Sequence, residues 1–398
     1  MSKLEELIQQ HCPDGVEWKK LDDICFAPFN IKWKNTSEHY EYIDLTSVDI
    51  DTHAIIETTK INSETAPSRA QQIVKQGDVI FATTRPTQMR VCLIPPKYDG
   101  AICSTGYCVL RPDNKKVLSS FLFYILSIED FKRYLEQKQT MGNYPAISNK
   151  LLKEYAIPVP PLPVQEEIVR VLDTFAELQA ELQAELQARI QQYNYYRDKL
   201  LSFSDLGGGI SVKWKKLGDV AQYAKERVDS SIISTHTYVS VENLLQNKEG
   251  KKDASTVPSG SLIKYEKGDI LIGNIRPYLK KIWLADIDGG TNGDVLTIKI
   301  TDKDIIPSYL YHILASDAFF IYDMSYAKGA KMPRGDKTAV MNYMVPVPPL
   351  AEQERIVNIL DRFHALTTDI TAGLPAEIEA RRKQYEYYRD KLLTFKQK

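Results

Sequence analysis

The sequence has little of what a metal-binding, secreted or membrane-spanning protein needs. Its five cysteines are an odd number and include no CxxC pair, and its six histidines form no HxxxH pattern. We therefore expect buried thiols and no metal site. No apolar run approaches 18 residues, and acids stand near the start where a signal peptide needs bases. We expect a cytoplasmic protein without a membrane span.

Motifs of DNA-modifying and nucleotide-hydrolysing enzymes are also absent. The [DNS]PP[YFW] tetrapeptide of amino-methyltransferases does not occur, because Leu or Lys follows every Pro-Pro pair. Segment 329–337 resembles a phosphate loop, but its glycines are too far apart and Asp336 precedes the lysine. Gly207-Gly208-Gly209 is interpreted as a linker. We predict a non-catalytic chain with no catalytic residue and no cofactor of its own.

The net charge does not by itself indicate a partner. Lysine and arginine number 51 against 52 acidic residues, which gives −1 at pH 7. Nucleic-acid binding depends on local clusters, and bases outnumber acids in segments 79–98, 264–281 and 328–337. One such cluster is commonly a solvated face. Matching positions in a duplicated chain favour nucleic acid instead.

The chain contains an internal duplication. Block 158–178 returns as 346–366 with Pro-Val-Pro-Pro-Leu unchanged, and block 192–203 returns as 384–395 with Tyr-Tyr-Arg-Asp-Lys-Leu-Leu unchanged. Weaker matches pair Trp18 with Trp214, Gly77-Asp78 with Gly268-Asp269, and Arg85-Pro86 with Arg276-Pro277. The sequence therefore predicts two copies of one unit, each a diverged head followed by a retained helix.

Each head combines strand-length apolar runs with a helical stretch, which predicts an α+β fold. A helical stretch is predicted in each head, over 121–137 and 309–326. Predicted strands cover 72–82 (with a turn at Gly77-Asp78), 91–94, 107–110, 269–273, 281–285 and 295–300. We predict domains at 1–155 (first head), 156–204 (first helical region), 205–343 (second head) and 344–398 (second helical region).

A long amphipathic helix follows each head. After the prolines of 158–163, apolar residues recur every three or four positions through residue 200. A helix over 165–203 would be about 58 Å long. Its regularly spaced apolar residues would form a stripe, the apolar seam, that needs a partner helix to pack against. The second copy is the obvious partner, and antiparallel pairing would give approximate two-fold symmetry. Gly373 and Pro375 predict a break in that copy.

The repeated PxPPLxxQ and QYxYYRDKLL blocks resemble the conserved regions of type I restriction–modification DNA-specificity subunits, over the whole chain. The resemblance implies two α/β target-recognition domains separated by two long antiparallel coiled-coil helices. Each domain would recognise half of a bipartite site in double-stranded DNA. Two methyltransferase subunits would dock on the helices and restriction subunits would join them. S-adenosylmethionine would belong to the methyltransferase, which modifies adenine N6, and ATP and magnesium to the restriction subunit.

Three consecutive Ala-Glu-Leu-Gln units occupy 176–187. They resemble the four-residue repeats that some family members carry at this place. Each unit adds about 6 Å of helix, so the resemblance implies a spacer between the half-sites. The alternative is a plain helix of residues with high helix propensity.

Candidate DNA-contacting residues lie in two pairs of polar loops. Loop 83–90 corresponds to 274–281, and loop 141–145 to 329–334. Lys and Arg suit phosphates, while Arg, Asn and Gln recognise base edges. Arg85 and Arg276 are shared and serve equally well to hold the fold or a phosphate, so the unshared positions are better candidates for specificity. The predicted residues are Arg85, Gln88, Arg90, Asn143, Tyr144, Asn274, Arg276, Tyr278, Lys280, Lys331 and Arg334.

Two other functions are compatible with parts of this pattern. A remnant of a fused type II methyltransferase–nuclease is disfavoured by the missing methylase motif. A coiled-coil scaffold that never touches DNA is harder to exclude from composition.

Overall fold

A computed structural model describes residues 3–203, 211–368 and 373–398. It divides into two compact units, Met1–Glu181 with Glu379–Lys398, and Leu182–Ile378. Each unit therefore contains one head, the early part of the helical region that follows it, and the late part of the other helical region. The predicted linker Gly207-Gly208-Gly209 lies outside the described residues, as does Ile370, one of the regularly spaced apolar residues of the second helical region.

The first head contains eleven short strands and five short helices in the part of the chain that is described. The strands are Glu17–Lys20 (β1), Cys25–Phe26 (β2), Phe29–Asn30 (β3), Tyr40–Ile43 (β4), Thr59–Ile61 (β5), Ala70–Ile73 (β6), Val79–Ala82 (β7), Val91–Leu93 (β8), Ile102–Ser104 (β9), Tyr107–Pro112 (β10) and Ala156–Val159 (β11). The helices are Lys3–His11 (α1), Leu21–Ile24 (α2), Ser119–Ile125 (α3), Glu129–Lys138 (α4) and Asn149–Lys153 (α5).

A four-stranded sheet, in the order β2-β10-β7-β8, forms the centre of the first head. Its middle strand β7 is buried on both faces, so alternate side chains enter two cores. Val79 and Phe81 join the core formed with α3 and α4. Ile80 and Ala82 join the core shared with residues of the five-stranded sheet β3-β6-β9-β4-β5.

The second head repeats this architecture. Its strands are Lys213–Lys216 (β12), Ala221–Tyr223 (β13), Arg227–Asp229 (β14), Tyr238–Val239 (β15), Ser261–Tyr265 (β16), Ile270–Gly273 (β17), Ile282–Leu284 (β18), Gly289–Thr291 (β19), Val295–Ile300 (β20) and Met344–Val347 (β21). Its helices are Leu217–Val220 (α7), Pro307–Leu314 (α8), Asp317–Tyr326 (α9) and Lys337–Asn342 (α10). The sheet β13-β20-β17-β18 matches the central sheet of the first head, and β14-β16-β19-β15 matches its second sheet. The predicted internal repeat and α+β class are confirmed.

The retained motifs at the two ends of each head pair with each other. Trp18 in β1 stands opposite Pro158 in β11, and Trp214 in β12 stands opposite Pro346 in β21, both in antiparallel two-stranded sheets. Proline is tolerated there because each strand has only one neighbour. The pairing brings the start of each head next to the start of its helical region.

The helical regions follow the prediction, whereas the head helices differ from it. Leu162–Ser202 (α6) is one continuous helix, and Leu350–Thr368 (α11) and Leu374–Leu392 (α12) are separated near Gly373 as predicted. The helical stretches predicted at 121–137 and 309–326 are helical, but each is interrupted and forms two helices. Ser316 caps α9 by accepting a hydrogen bond from the Phe319 backbone N–H.

Aromatic contacts within each unit show which parts of the helical regions meet. In the first unit, the Phe175 ring of α6 stacks on Tyr388 of α12 at 5.7 Å. In the second, Tyr196 of α6 stacks on Phe363 of α11 at 5.8 Å. The early part of α6 thus meets the late part of the second region, and its late part meets the early part. This order is that of an antiparallel pair.

Two further expectations concern cysteines and membranes. Cys12, Cys92, Cys103 and Cys108 are buried and Cys25 is half-buried, all as free thiols. Burial raises the thiol pKa values of Cys25, Cys92 and Cys108 to about 12. Within the described ranges, none of the helices has the length and apolarity that crossing a membrane requires.

Candidate nucleic-acid interface

The two candidate loops of each head lie side by side. In the first head, the Arg85 backbone N–H donates to Pro145 O at 2.7 Å, and Thr84 pairs with Ala146. In the second, the Arg276 N–H donates to Pro333 O at 2.7 Å, and Ile275 pairs with Arg334. Segments more than 50 residues apart in sequence are thus joined by backbone hydrogen bonds, in the same way twice.

The first loop of each pair has an unusual backbone. Arg85 and Arg276 adopt left-handed conformations with φ of 49° and 54°. Met89 and Lys280, on the far side of a 3₁₀ turn, do the same, with φ of 53° and 50°. Left-handed backbone in residues other than glycine costs about 1–2 kcal/mol each. Both heads retain this cost, which indicates that the turn serves something other than stability.

Most predicted DNA-binding residues are solvent-exposed on these loops. In the first head, the Arg85 guanidinium lies over the Tyr144 ring, 5.4 Å from its centroid. In the second, Arg334 forms an ion pair with Asp294 at 3.2 Å. The exposed candidates are Arg85, Gln88, Asn143, Tyr144, Arg276, Tyr278, Lys331 and Arg334.

The three remaining candidates are buried or half-buried. Arg90 donates to the Leu45 carbonyl, and its counterpart Lys281 donates to the Val241 carbonyl at 2.6 Å. Lys280 contacts the Asp317 carboxylate at 3.0 Å, and Asn274 is buried. These contacts suit support of the loops better than contact with a ligand. A DNA-contacting role for Arg90, Asn274 and Lys280 stays a prediction.

A buried glutamine joins each head to its helix. Gln165 is fully buried and accepts from the Leu118 N–H at 2.9 Å while donating to the Lys116 and Pro160 carbonyls at 2.8 and 2.7 Å. Gln353 repeats this set with Ile306 N, Asp304 O and Pro348 O. Both amide N–H groups and the amide oxygen of each side chain are hydrogen-bonded, so the glutamine of each PxPPLxxQ block fixes the start of the helix.

The sequence analysis did not identify the acidic side chains near the candidate loops of the second head. Asp323 lies four residues after Phe319 on the apolar face of α9, so helical spacing could have flagged it as a buried acid. Nothing local in the sequence indicates that Asp294 would reach Arg334, because that contact depends on strand pairing.

Comparison with known proteins agrees with this architecture. Residues 13–192 and 211–380 each match the family described as the type I restriction modification DNA specificity domain. The chain belongs to this family. It is 32% identical over 313 residues to the Escherichia coli type I restriction enzyme EcoR124I/EcoR124II specificity subunit, covering 71% of this chain and 72% of that one. A putative type I specificity subunit of Mycoplasma pneumoniae is 28% identical over 259 residues, 62% of this chain and 99% of that one.

Solved structures of type I specificity subunits share the fold. The HsdS subunit from Thermoanaerobacter tengcongensis is 23% identical with a TM-score of 0.51, covering 96% of this chain and 97% of that one. A chain from a study of complex assembly and conformational transition of the type I R-M system is also 23% identical, with a TM-score of 0.66 and coverage of 96% and 98%. The matches give no support to a type II fusion remnant or a scaffold.

Proposed function

We propose that the chain is the non-catalytic DNA-specificity subunit of a type I restriction–modification complex. Each head would recognise one half of a bipartite site in double-stranded DNA. The observation that carries the proposal is the repeated pair of exposed polar loops, joined by the same backbone bonds in both heads. The side chains they present differ, with Gln88 and Tyr144 in one head against Tyr278 and Lys331 in the other. Two different half-sites require such a difference.

Substitutions in the loops, made in the complex with its methyltransferase partner, test this proposal. Arg276→Ala and Arg334→Ala should weaken DNA binding and lower the salt dependence by about one unit of slope per lost phosphate contact. Arg85→Ala should do the same through the first head. Lys303→Ala is the matched control, because Lys303 is exposed in the same head but lies between β20 and α8, outside the candidate loops and the basic segments. Unchanged binding and salt slope in all three loop variants would contradict the proposal.

We further propose that two methyltransferase subunits dock on the helical regions. Tyr195 and Tyr387 are 61% and 62% exposed, and each has a lysine ammonium, Lys199 or Lys391, 5.9 Å from its ring centroid. Two equal surfaces suit two copies of one partner. Tyr195→Ala and Tyr387→Ala should each release one methyltransferase subunit, as counted by mass measurement of the complex. Tyr278→Ala, in a head loop, should release neither.

The remaining parts of the complex are proposed from family membership. Restriction subunits would join the complex and use ATP and magnesium. The methyltransferase would use S-adenosylmethionine for adenine-N6 methylation, and the assembly would work in the cytoplasm. Methylation by the isolated chain, without any methyltransferase subunit, would contradict the non-catalytic assignment.

The Ala-Glu-Leu-Gln repeats would set the distance between half-sites. Deleting 180–183 from α6 removes about 6 Å of helix and turns its remainder by only about 40°, so the apolar seam stays nearly in phase. With about 3.4 Å per base pair, the spacer should shorten by one base pair, or at most two. Methylome sequencing of a strain with the deletion measures this. An active enzyme with an unchanged spacer would show that the repeats merely fill the helix.

A further inference from the structure

A buried carboxyl group lies beneath the candidate loops of the second head. Asp323 on α9 is 1% exposed, and neither carboxylate oxygen has a hydrogen-bond partner among the described residues. The amide oxygen of Asn274, at the end of β17, is also buried and, within the same ranges, without a partner. The two side chains meet at Gly335, which directly follows Arg334.

Gly335 is packed directly against both polar groups. A Cβ atom at this position would stand 2.5 Å from Asp323 Oδ1 and 2.8 Å from Asn274 Oδ1, closer than real Cβ contacts allow. The Gly335 N–H donates to the Asn274 carbonyl at 3.2 Å. The carboxyl and amide groups therefore border the backbone at which the two loops join.

In the first head, buried apolar side chains and a hydrogen-bonded threonine occupy the corresponding positions. By the alignment of the copies, Asn274, Asp323 and Gly335 correspond to Thr83, Leu135 and Ile147. The Ile147 N–H donates to Thr83 O at 2.9 Å, as Gly335 does to Asn274. Leu135 and Ile147 are buried, and the Thr83 hydroxyl donates to Gly106 O at 2.9 Å. Only the second head places unpaired polar atoms here, within the part of the chain that the structure describes.

The polar arrangement is costly. Burial, with a smaller contribution from Asp336, raises the pKa of Asp323 to about 6. Burying a carboxyl group without a partner is unfavourable compared with a leucine of similar size. A residue that lowers stability at the base of an exposed loop is a candidate for a functional role.

We propose that Asp323 is a positioning residue of the second head, which sets the path of segment 328–336 relative to 274–280 through Asn274 and Gly335. This inference rests on the proposed DNA contact of those segments. Because a Cβ atom at 335 would clash with both polar groups, the segment can follow this path past Asp323 and Asn274 only with glycine at that position. The positions of Arg276 and Arg334 would then depend on a group that never touches DNA.

Asp323→Leu, which installs the residue of the first head, tests the proposal in the complex with the methyltransferase. Discrimination against mismatches in the second half-site should fall about tenfold, the scale of one lost base contact, while the first half-site stays unchanged. The thermal unfolding midpoint should rise. Asp323→Asn keeps the shape and polarity and should retain discrimination. Ile321→Ala, on the exposed face of the same helix, should change neither half-site.

Two outcomes overturn the proposal. One is a stable Asp323→Leu variant that still discriminates in the second half-site. The other is loss of both half-sites together with a lowered midpoint, which would make Asp323 a purely structural residue. If Arg276→Ala and Arg334→Ala leave the second half-site unchanged, the proposed function of the loops fails instead. Hydrogen exchange of 328–336 then decides the positioning role: altered exchange in Asp323→Leu supports it, and unaltered exchange overturns it.

Discussion

The two heads share a backbone architecture but differ in the side chains that it carries. Both have the same central sheet order, left-handed arginines at Arg85 and Arg276, and a fully buried glutamine at the start of the following helix. These shared features fix backbone groups: the loop turns and the junction between head and helix. Duplication has therefore retained the parts that hold the loops in place.

The differences lie in side chains beneath the loops and in side chains between each head and its helix. The apolar Leu135 of the first head is replaced by Asp323, and Tyr124, which donates to Asp173 at 2.5 Å, by His312, which contacts Asp361 at 2.7 Å. The second head also collects Lys248, Lys280 and Arg197 around Asp317. A single backbone arrangement thus supports two different polar environments.

The largest expected effect concerns the shared glutamines. Gln165→Leu and Gln353→Leu should each lower the free energy of unfolding by about 3–5 kcal/mol, because three buried backbone groups lose their partner. Urea denaturation of the full chain with hydrogen exchange would assign each loss to its own unit. The exposed Gln183 is the control, and Gln183→Leu should change stability by less than about 0.5 kcal/mol. Unequal losses of unfolding free energy in the two variants would show that the two junctions between head and helix are not equivalent.

The second prediction concerns the pH dependence of stability that Asp323 gives to the second head. The folded-state pKa of Asp323, about 6, lies above the value of about 3.9 for an unfolded chain. The folded protein therefore holds a proton that the unfolded chain lacks between these values, and stability falls as pH rises from about 4 to about 6. Asp323→Leu removes this loss. Its gain in unfolding free energy should be about 2–3 kcal/mol larger at pH 8 than at pH 4; an equal gain at both pH values would contradict the buried acid.

The third prediction compares the first acids of α9 and α4. Burial alone would raise the pKa of Asp317, but Lys248 and Lys280 outweigh it and lower the pKa to about 2. This stabilisation is present above about pH 4 and is lost as pH falls towards 2. Asp317→Asn should cost about 1–2 kcal/mol at pH 7 after allowance for its partial exposure.

Glu129 is the matched position in the first head. Its contact with Lys132 spans 3.7 Å at the surface, so Glu129→Gln should change stability by less than about 0.5 kcal/mol. Equal losses in urea titrations of the two variants would show that the cationic cluster of the second head adds nothing.

The smallest effect is expected where the two heads use different groups for the same contact. His312→Tyr should change the free energy of unfolding by less than about 1 kcal/mol, because Tyr124 reaches the corresponding aspartate from the same helix position. Thermal unfolding of His312→Tyr and of the reciprocal Tyr124→His measures this. A large loss in only one of them would show that the packing around the two aspartates has diverged.

The sequence alone determined the architecture. The duplicated motifs, the spacing of apolar residues along α6 and the break at Gly373 are local patterns, and local patterns follow from helix and strand geometry. Eight of the eleven candidate DNA-binding residues are exposed on joined loops, which the glycine and proline of those segments had indicated. Whether these side chains contact DNA stays a prediction.

Tertiary structure decided the rest. The partners that hold Arg90 and Lys280 and the pairing of Trp18 with Pro158 depend on neighbours far away in sequence. The same holds for Asp323. Its charge is visible in the sequence, but its lack of a partner arises only when α9, the end of β17 and Gly335 meet, because burial and hydrogen bonding are set by packing rather than by residue type.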